Sequence, residues 1–495
     1  MSSFFDFFQQ SRPISWAALM FVLHGLIQFA IVLRVVMSRR SVGATLAWIM
    51  IVLAIPFFGF GLYLLIGELR LGSRRTRIVR QLMGPVRDRY HALDQPNLRV
   101  QWSRLPVDWQ QLSRSGENML QVPTLAGNRL ELLGKWQVIF DRMIADIDSA
   151  EISCDFEFYI WQSGGRSDDV VAAIERASQR GVICRILVDA LGSQKFLRSL
   201  DVQRLRRAGV IVQAALPGGL WRLPFVRFDL RLHRKIVLID DQIAWTGSLN
   251  LIDPRYFKRD AGVGEWVDAM VRIEGPAVEA LAITFQTDWY IETMSRGPEL
   301  PDVTGQQRIV KHGDSPVQVL PSGPANRVEA IERILITMVY AAKQELVITT
   351  PYFVPSESLQ MALSSAAQRG VKVILILPAK VDSLLVRLAS STFKGELLDS
   401  GVFVALFHGG LLHTKSVTID NQISLFGSLN LDPRSFRLNF EVTLAVYDEP
   451  FTRSLRELQQ TYVEQSQMLD RHDWHRRTNV SRLAENLARL VSPLL

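Results

Sequence analysis

The sequence predicts an α/β protein built from two copies of one domain behind an N-terminal two-helix membrane hairpin. Three observations carry that prediction. Two long apolar stretches with no formal charge open the chain; strand-length apolar runs then alternate with helix-like stretches; and LHRKIVLIDDQIAWTGSLN at 232–250 returns as LHTKSVTIDNQISLFGSLN at 412–430. With 495 residues the chain exceeds what one hydrophobic core usually organises, which leaves room for two or three structural units.

The first apolar stretch runs from Ser15 to Leu33 and the second from Gly43 to Gly67. A helix needs about 20 mostly apolar residues to cross the hydrocarbon of a bilayer. Both stretches are long enough, so residues 1–67 are expected to form a hairpin with spans at about 14–36 and 44–67, the second kinked at Pro56. A signal peptide is a poorer reading of the first span, because its apolar core would be shorter and a second span follows directly. Arg34, Arg39 and Arg40 lie on one side of the pair, while Arg70, Arg74, Arg75, Arg77 and Arg80 follow the second span. The larger basic cluster predicts a cytoplasmic C-terminal body. His24, inside the first span, is read as a tolerated side chain rather than a catalyst.

After a basic juxtamembrane segment at 68–115, EISCDFEFYIW, a helical stretch ending ASQRGV and the strand ICRILVDAL are echoed by ELVITTPYFV, a helix ending AAQRGV and KVILILPA. This is an internal duplication, with one domain at 116–296 and the other at 325–470. Gly181 and Gly370 stand where each helix needs a left-handed residue to end. The stretch 297–324, rich in proline and glycine, reads as a linker with a short strand at Val317 to Leu320. A tail at 471–495 carries Leu483, Leu487, Leu490 and Val491 at helical spacing with Arg482 and Arg489, and is expected to pack on the domain.

The repeated stretch keeps six positions at equal offsets: His233, Lys235, Asp240, Gly247, Ser248 and Asn250 match His413, Lys415, Asp420, Gly427, Ser428 and Asn430. Residues i and i+2 of a strand share a face, so each copy presents an imidazole beside an ammonium. A turn at Asp-Asp-Gln or Asp-Asn-Gln would return the chain and bring Ser and Asn back towards the same end. A lone His-x-Lys would be the polar face of an ordinary strand. Two copies with matched GSLN turns instead suit a phosphodiester, because Lys and Asn donate to non-bridging oxygens as a fifth ligand adds to phosphorus. An imidazole near its ordinary pKa of about 6.5 serves as neutral nucleophile in one copy and as protonated acid in the other. Displacement at phosphorus needs both, which explains the duplication.

The pattern H-x-K-x(4)-D followed by G-S-x-N, written twice, resembles the phospholipase D superfamily. Further segments, ATLAW, GLYLLIGE, GVGEWVDAMVRIEGPAV, TTPYFVPS and LLHTKS, are similar to the bacterial cardiolipin synthases of the A type, so that the resemblance covers essentially the whole chain. It implies two tandem phospholipase D-like α/β domains, mixed sheets flanked by helices, in a multi-pass protein of the bacterial inner membrane. The implied reaction joins two phosphatidylglycerols, releasing glycerol and forming cardiolipin through a phosphohistidine. No cofactor is expected, nor a metal, since no carboxylate cluster or HExxH pattern appears and the Lys and His side chains supply the positive charge; the membrane spans favour lipid over nucleic acid. Carried over by position, His233 attacks phosphorus, and His413 protonates the departing glycerol and then deprotonates the incoming hydroxyl. Lys235, Lys415, Asn250 and Asn430 hold the phosphoryl oxygens, with Ser248 and Ser428 assisting. Asp240 and Asp420 complete the motif and are read as turn-stabilising. Asp268 (EWVDAM) and Glu441 (NFEVTL) match carboxylates that orient the histidines, although their offsets from the two motifs differ. Hydrolysis of a phospholipid or nucleic-acid phosphodiester is the alternative, since water could intercept the same intermediate.

Other features are consistent with lipid. The net charge of +7 favours anionic partners without choosing among them. In GGLWRLPFVRFDLRLHRK the aromatics Trp221, Phe225 and Phe228, with Pro224, interleave with Arg222, Arg227 and Arg231, which suits a headgroup interface. His408 is near enough to His413 in FHGGLLH to support it, while Cys154 and Cys184 sit in apolar runs and read as buried thiols.

Overall fold

The computed structural model describes residues 16–38, 42–55, 57–218, 226–256, 262–293 and 310–490. Two compact units divide the chain: Met1–Gly72 with Gly219–Asp229, and Ser73–Gly218 with Leu230–Leu495.

In the smaller unit the first apolar stretch forms one helix, Trp16–Met37, of which Ala18–Met37 is long and apolar enough to cross a membrane. The second stretch differs from the single kinked span expected. It is broken into the helix Val42–Ala54, the short helix Phe58–Leu62 and a π turn, Tyr63–Gly67. The break falls at Phe57, whose φ of 61° no helix accommodates. Pro56 itself lies outside the described residues. The chain doubles back so closely that a Cβ on Gly59 would collide with the carbonyl of Ile51. Ile31, Val35, Val52 and Tyr63 form a small core, and Arg34 clamps Glu68 through paired bonds of 2.6 and 2.7 Å. From the aromatic–arginine segment, Trp221, Arg222, Pro224 and Phe225 lie outside the described residues. Arg227 is buried against Asp229 at 2.5 Å rather than facing headgroups, whereas Phe228 is exposed.

The larger unit is organised by one mixed sheet that repeats its order. In the first half the strands run Thr124–Leu133, Met270–Glu274, Ile243–Gly247, Ile236–Ile239, Ser153–Phe158, Ile183–Asp189 and Ile211–Ala215, each beside the next. The second half repeats this with Ser315–Ser322, Asn439–Val446, Ile423–Gly427, Ser416–Ile419, Glu345–Thr349, Lys372–Pro378 and Phe403–Phe407, closed by Ser466–Met468. The halves join where Thr124–Leu133 pairs antiparallel with Ser315–Ser322. That strand includes Val317 to Leu320, so this part of the expected linker is a buried strand of the sheet.

The apolar runs explain the layers. Ile139, Phe140 and Met143 of helix Trp136–Asp148, with Val170 and Ile174 of helix Arg166–Gln179, cover one face of the first half with Phe156, Phe158 and Trp161. Helix Ala277–Thr293 is buried on nearly every side, because helix Ser73–Ala92 packs outside it through Arg75–Glu292 at 2.8 Å and Arg89–Glu279 at 2.6 Å. Part of the basic segment is therefore paired with protein carboxylates. Gly181 and Gly370, at φ 93° and 90°, end their helices as expected. Helix Asn479–Leu490 presents Leu483 and Leu487 outward, 61% and 57% exposed, and faces inward through Ala488 and Glu485. Its apolar edge is thus not the surface that packs; Val491 lies outside the described residues.

Candidate active site

Each His-x-Lys motif enters a tight hairpin, Ile236–Ile239 with Ile243–Gly247 and Ser416–Ile419 with Ile423–Gly427. Asp240 and Asp241, like Asp420 and Asn421, take φ between 51° and 57°, the left-handed pair of a type I′ turn. The carboxylate of Asp240 accepts from the amides of Glu151, Ile152 and Ser153, and that of Asp420 from Lys343, Gln344 and Glu345. These aspartates stand at the far end of their strands from the histidines and hold the turn to the neighbouring strand.

At the near end the two halves exchange partners. Arg231–Leu232, just before His233, pairs with Asn439–Phe440 of the second half; Leu411–Leu412, just before His413, pairs with Trp266–Val267 of the first. Nδ1 of His233 therefore lies 2.8 Å from Oε2 of Glu441, and Nδ1 of His413 lies 2.6 Å from Oδ1 of Asp268. Ser428 Oγ donates to Glu441 and Ser248 Oγ donates to Asp268, both at 2.6 Å. The serines expected beside the phosphoryl oxygens thus orient the carboxylates that orient the histidines. The preceding glycines are required by crowding: a Cβ on Gly247 or Gly427 would strike the carbonyl of Ala269 or Val442.

With Nδ1 donating to a carboxylate, each Nε2 carries the lone pair. Burial pushes both imidazoles down to about 4, against the pull of Glu441 on His233 and, for His413, with Lys415 adding to the fall while Asp268 opposes it. Both are therefore neutral in the resting site, where the sequence alone suggested one neutral and one charged. Burial also lowers Lys235 to about 8 and Lys415 to about 7, opposed by Glu441 and Asp268. Each lysine feels the carboxylates of both halves, so the two motifs form one electrostatic site. The Lys235 and Lys415 ammoniums donate to the carbonyls of His233 and His413 at 2.5 Å, which fixes them beside the imidazoles. Burial would raise Asp268 and Glu441, but the facing histidines and lysines hold both below the usual carboxylate range.

The asparagines are placed differently in the two halves. Asn250 Oδ1 accepts from the Ile160 amide at 3.2 Å, leaving a buried Nδ2 with no partner among the described residues; in Asn430 the partnerless buried atom is Oδ1. A buried amide donor with nothing to donate to suits an incoming phosphoryl oxygen. Among the described residues no cluster of three or more His, Cys, Asp or Glu side chains could hold a metal ion. Cys154 and Cys184 sit in register on neighbouring strands inside the core, as expected of buried thiols.

Several neighbours were not legible in the motif. Rings of Tyr159 and Trp266 lie 4.9 and 4.3 Å from those of His233 and His413. Arg234, between His233 and Lys235, is buried, pairs with Asp288 and donates to the carbonyls of Glu441 and Ser322 at 2.9 and 3.1 Å. Glu157 is wholly buried with no hydrogen-bond partner among the described residues, and burial raises it to about 7 against the charges of Arg234 and Lys235. Strand alternation in SCDFEF was the available signal for Glu157, since Glu157 and Asp155 oppose the core residues Phe156 and Phe158.

Comparison with known proteins shows the family. The family described as "Cardiolipin synthase, PLD-like domain" matches residues 143–289 and 335–462, and "Phospholipase_D-nuclease N-terminal" matches 26–68. Cardiolipin synthase A of Serratia proteamaculans is 42% identical over 97% of this chain and 99% of its own, and that of Proteus mirabilis is 42% identical with the same coverage. The protein of that name from Erwinia tasmaniensis is 41% identical over 94% of this chain and 96% of its own. Among solved structures, phosphatidylserine synthase of Haemophilus influenzae shares the fold with a TM-score of 0.57 at 17% identity, covering 78% of this chain and all of that one. Two duplicated motifs, one exchanged pair of carboxylates and similarity along nearly the whole length lead to one conclusion: the chain belongs to the phospholipase D-like family of the cardiolipin synthases.

Proposed function

We propose that this protein is a membrane phosphatidyltransferase that makes cardiolipin and glycerol from two molecules of phosphatidylglycerol. The exchanged pairs His233–Glu441 and His413–Asp268 carry the reading, supported by the relatives' shared name over nearly full length.

In the proposed cycle the donor's phosphodiester settles among Lys235, Lys415 and the Asn250 amide, and its negative charge draws a proton onto His413. Nε2 of His233 attacks phosphorus, the bond to glycerol breaks, and His413 gives its proton to the departing oxygen. The acceptor's hydroxyl then loses its proton to His413 and attacks the phosphohistidine; the P–N bond breaks and His233 leaves with its electron pair. One phosphodiester replaces another, so no nucleotide is needed. Glu441 and Asp268 stay ionised and stabilise whichever imidazole is charged. Asp240 and Asp420 hold the turns throughout. The helix Trp16–Met37 anchors the chain in a membrane, and the basic residues after the second apolar stretch support a catalytic body on the cytoplasmic side of a multi-pass protein.

The test is product analysis by mass after the purified protein meets phosphatidylglycerol in mixed micelles with chelator present. Cardiolipin plus glycerol is expected, with an acid-labile phosphohistidine trapped on quenching and lost in His233→Ala. Phosphatidic acid plus glycerol would instead establish a hydrolase. His413→Ala is expected to abolish turnover in a folded protein, and substantial activity there would refute the shared site.

A further inference from the structure

An open cavity of about 460 Å³ lies beside the His413 strand, walled by Val263, Gly264 and Glu265 from the first half and by Lys380, His408 and Gly410 from the second. Glycine lets the two walls meet: a Cβ on Gly264 would press on Gly410, and one on Gly410 would collide with the carbonyl of Glu265. The Leu411 amide donates to that carbonyl at 2.8 Å. Val263 and Leu411 pack with Trp266, whose ring centroid is 4.3 Å from that of His413. Trp266 thus connects Val263, a wall of the cavity, to the reacting imidazole. Lys380 and His408 are exposed, and Lys380 makes no ion pair among the described residues.

The matching positions of the first half carry different side chains. Ala190 donates to Ala215 and Ala379 to Phe407 in matching bonds at the ends of corresponding strands, so Leu191 occupies the position of Lys380. By the same bonds Leu216, which follows Ala215, stands where His408 follows Phe407. At these two positions the duplication is therefore apolar in one half and carries a lysine and a histidine in the other.

The transfer reaction demands such an asymmetry. Two lipids enter, each with a phosphodiester, but one phosphorus reacts. The duplicated His and Lys side chains attend that one. The acceptor's own phosphate stays intact a glycerol's length away and still needs a positive partner once it leaves water. We propose that this cavity binds the unreacting phosphodiester of the acceptor phosphatidylglycerol, with Lys380 and His408 on the anion and Glu265 accepting from a glycerol hydroxyl. The assignment rests on the transferase reading and adds to it which side the acceptor takes.

The experiment compares two acceptors on the full-length protein in mixed micelles. Cardiolipin formation uses a phosphate-bearing acceptor; exchange of isotopically labelled glycerol into phosphatidylglycerol uses the same phosphoenzyme and an acceptor with no phosphate. In Lys380→Gln the KM for cardiolipin formation should rise about tenfold, as for loss of one charge-assisted hydrogen bond, while glycerol exchange stays within about twofold of wild type. Lys380→Arg should restore most of the loss. Equal loss in both assays, or none in either, would overturn the acceptor assignment while leaving the transferase intact. Wild-type protein yielding only phosphatidic acid would sink the transferase reading and this one with it.

Discussion

Glu441 Oε2 stands 2.8 Å from Nδ1 of His233 although 208 residues separate them, and the carboxylate belongs to the other half of the duplication. Asp268 and His413 repeat the exchange at 2.6 Å. Neither half alone holds an oriented histidine, so folding of the pair and assembly of the site are one event. Removing the charge while keeping the shape, in Glu441→Gln or Asp268→Asn, should lower kcat by about 10²- to 10⁴-fold through loss of tautomer control and of imidazolium stabilisation. The melting temperature should change little by comparison. Ser428→Ala and Ser248→Ala, which each remove one hydrogen bond to the same carboxylates, should cost about tenfold. Activity unaffected in Glu441→Gln would show that the exchanged pair is only structural.

The turn aspartates predict the opposite pattern. Asp240 and Asp420 each accept three backbone amides remote from the imidazoles. Asp240→Ala and Asp420→Ala should destabilise the unit by about 1–3 kcal/mol, by leaving amides without their acceptor. Turnover per folded molecule should stay near wild type. A folded Asp240→Ala protein with kcat reduced a hundredfold would place this residue in the chemistry after all.

What could be read from the sequence depended on whether a feature repeats or crosses. The strand–helix alternation, the turns after Asp240 and Asp420 and the helix-ending glycines follow from local pattern, and the structure shows each where expected, the turns with type I′ geometry. The gathering of His, Lys and Ser at one end also follows, because strand alternation and hairpin return are local rules. Exchange between His233 and Glu441 does not follow, since no spacing tells which half a carboxylate will serve. The bond from Ser428 to the Glu441 carboxylate was not legible for the same reason. Length and hydropathy suggested a single second span, but they do not encode the left-handed Phe57 that breaks it. Burial was equally hidden, and it is burial that makes both imidazoles neutral at rest.

The cysteines offer a control free of chemistry. Cys154 and Cys184 lie in the core between strand and helix, with Cys184 Sγ 3.5 Å from the carbonyl of Val182. Hydrogen bonding to Cys184 and burial hold the Cys154 thiol well above its ordinary range, so it is inert as a nucleophile. Cys154→Ser should lower stability by about 1–3 kcal/mol, as a hydroxyl enters an apolar site, with kcat unchanged after correction for folded fraction. Specific loss of catalysis in a stable variant would contradict this.

Acid sensitivity follows from the same burial, and its sign is fixed. His233 and His413 titrate near 4 in the folded protein against about 6.5 when unfolded. Between those values the unfolded chain binds protons that the folded chain refuses, so stability is fully present above pH 6.5 and falls as the pH drops towards 4. Asp268 and Glu441, also held below their ordinary values, act in the same direction at still lower pH. Lys235 and Lys415, lowered to about 8 and 7, extend the trend upward, since between those values and about pH 10.5 only the unfolded chain keeps those protons. Burial raises Glu157 to about 7 and Asp155 and Asp432 to about 6, which acts in the opposite direction over the same range, so the histidines' share is read as a difference between two proteins. From pH 7.5 to 4.5 the wild type should lose melting temperature relative to the double variant His233→Gln/His413→Gln, which has no imidazoles there to protonate. Identical slopes in the two proteins would mean that the site histidines are not held neutral by the fold.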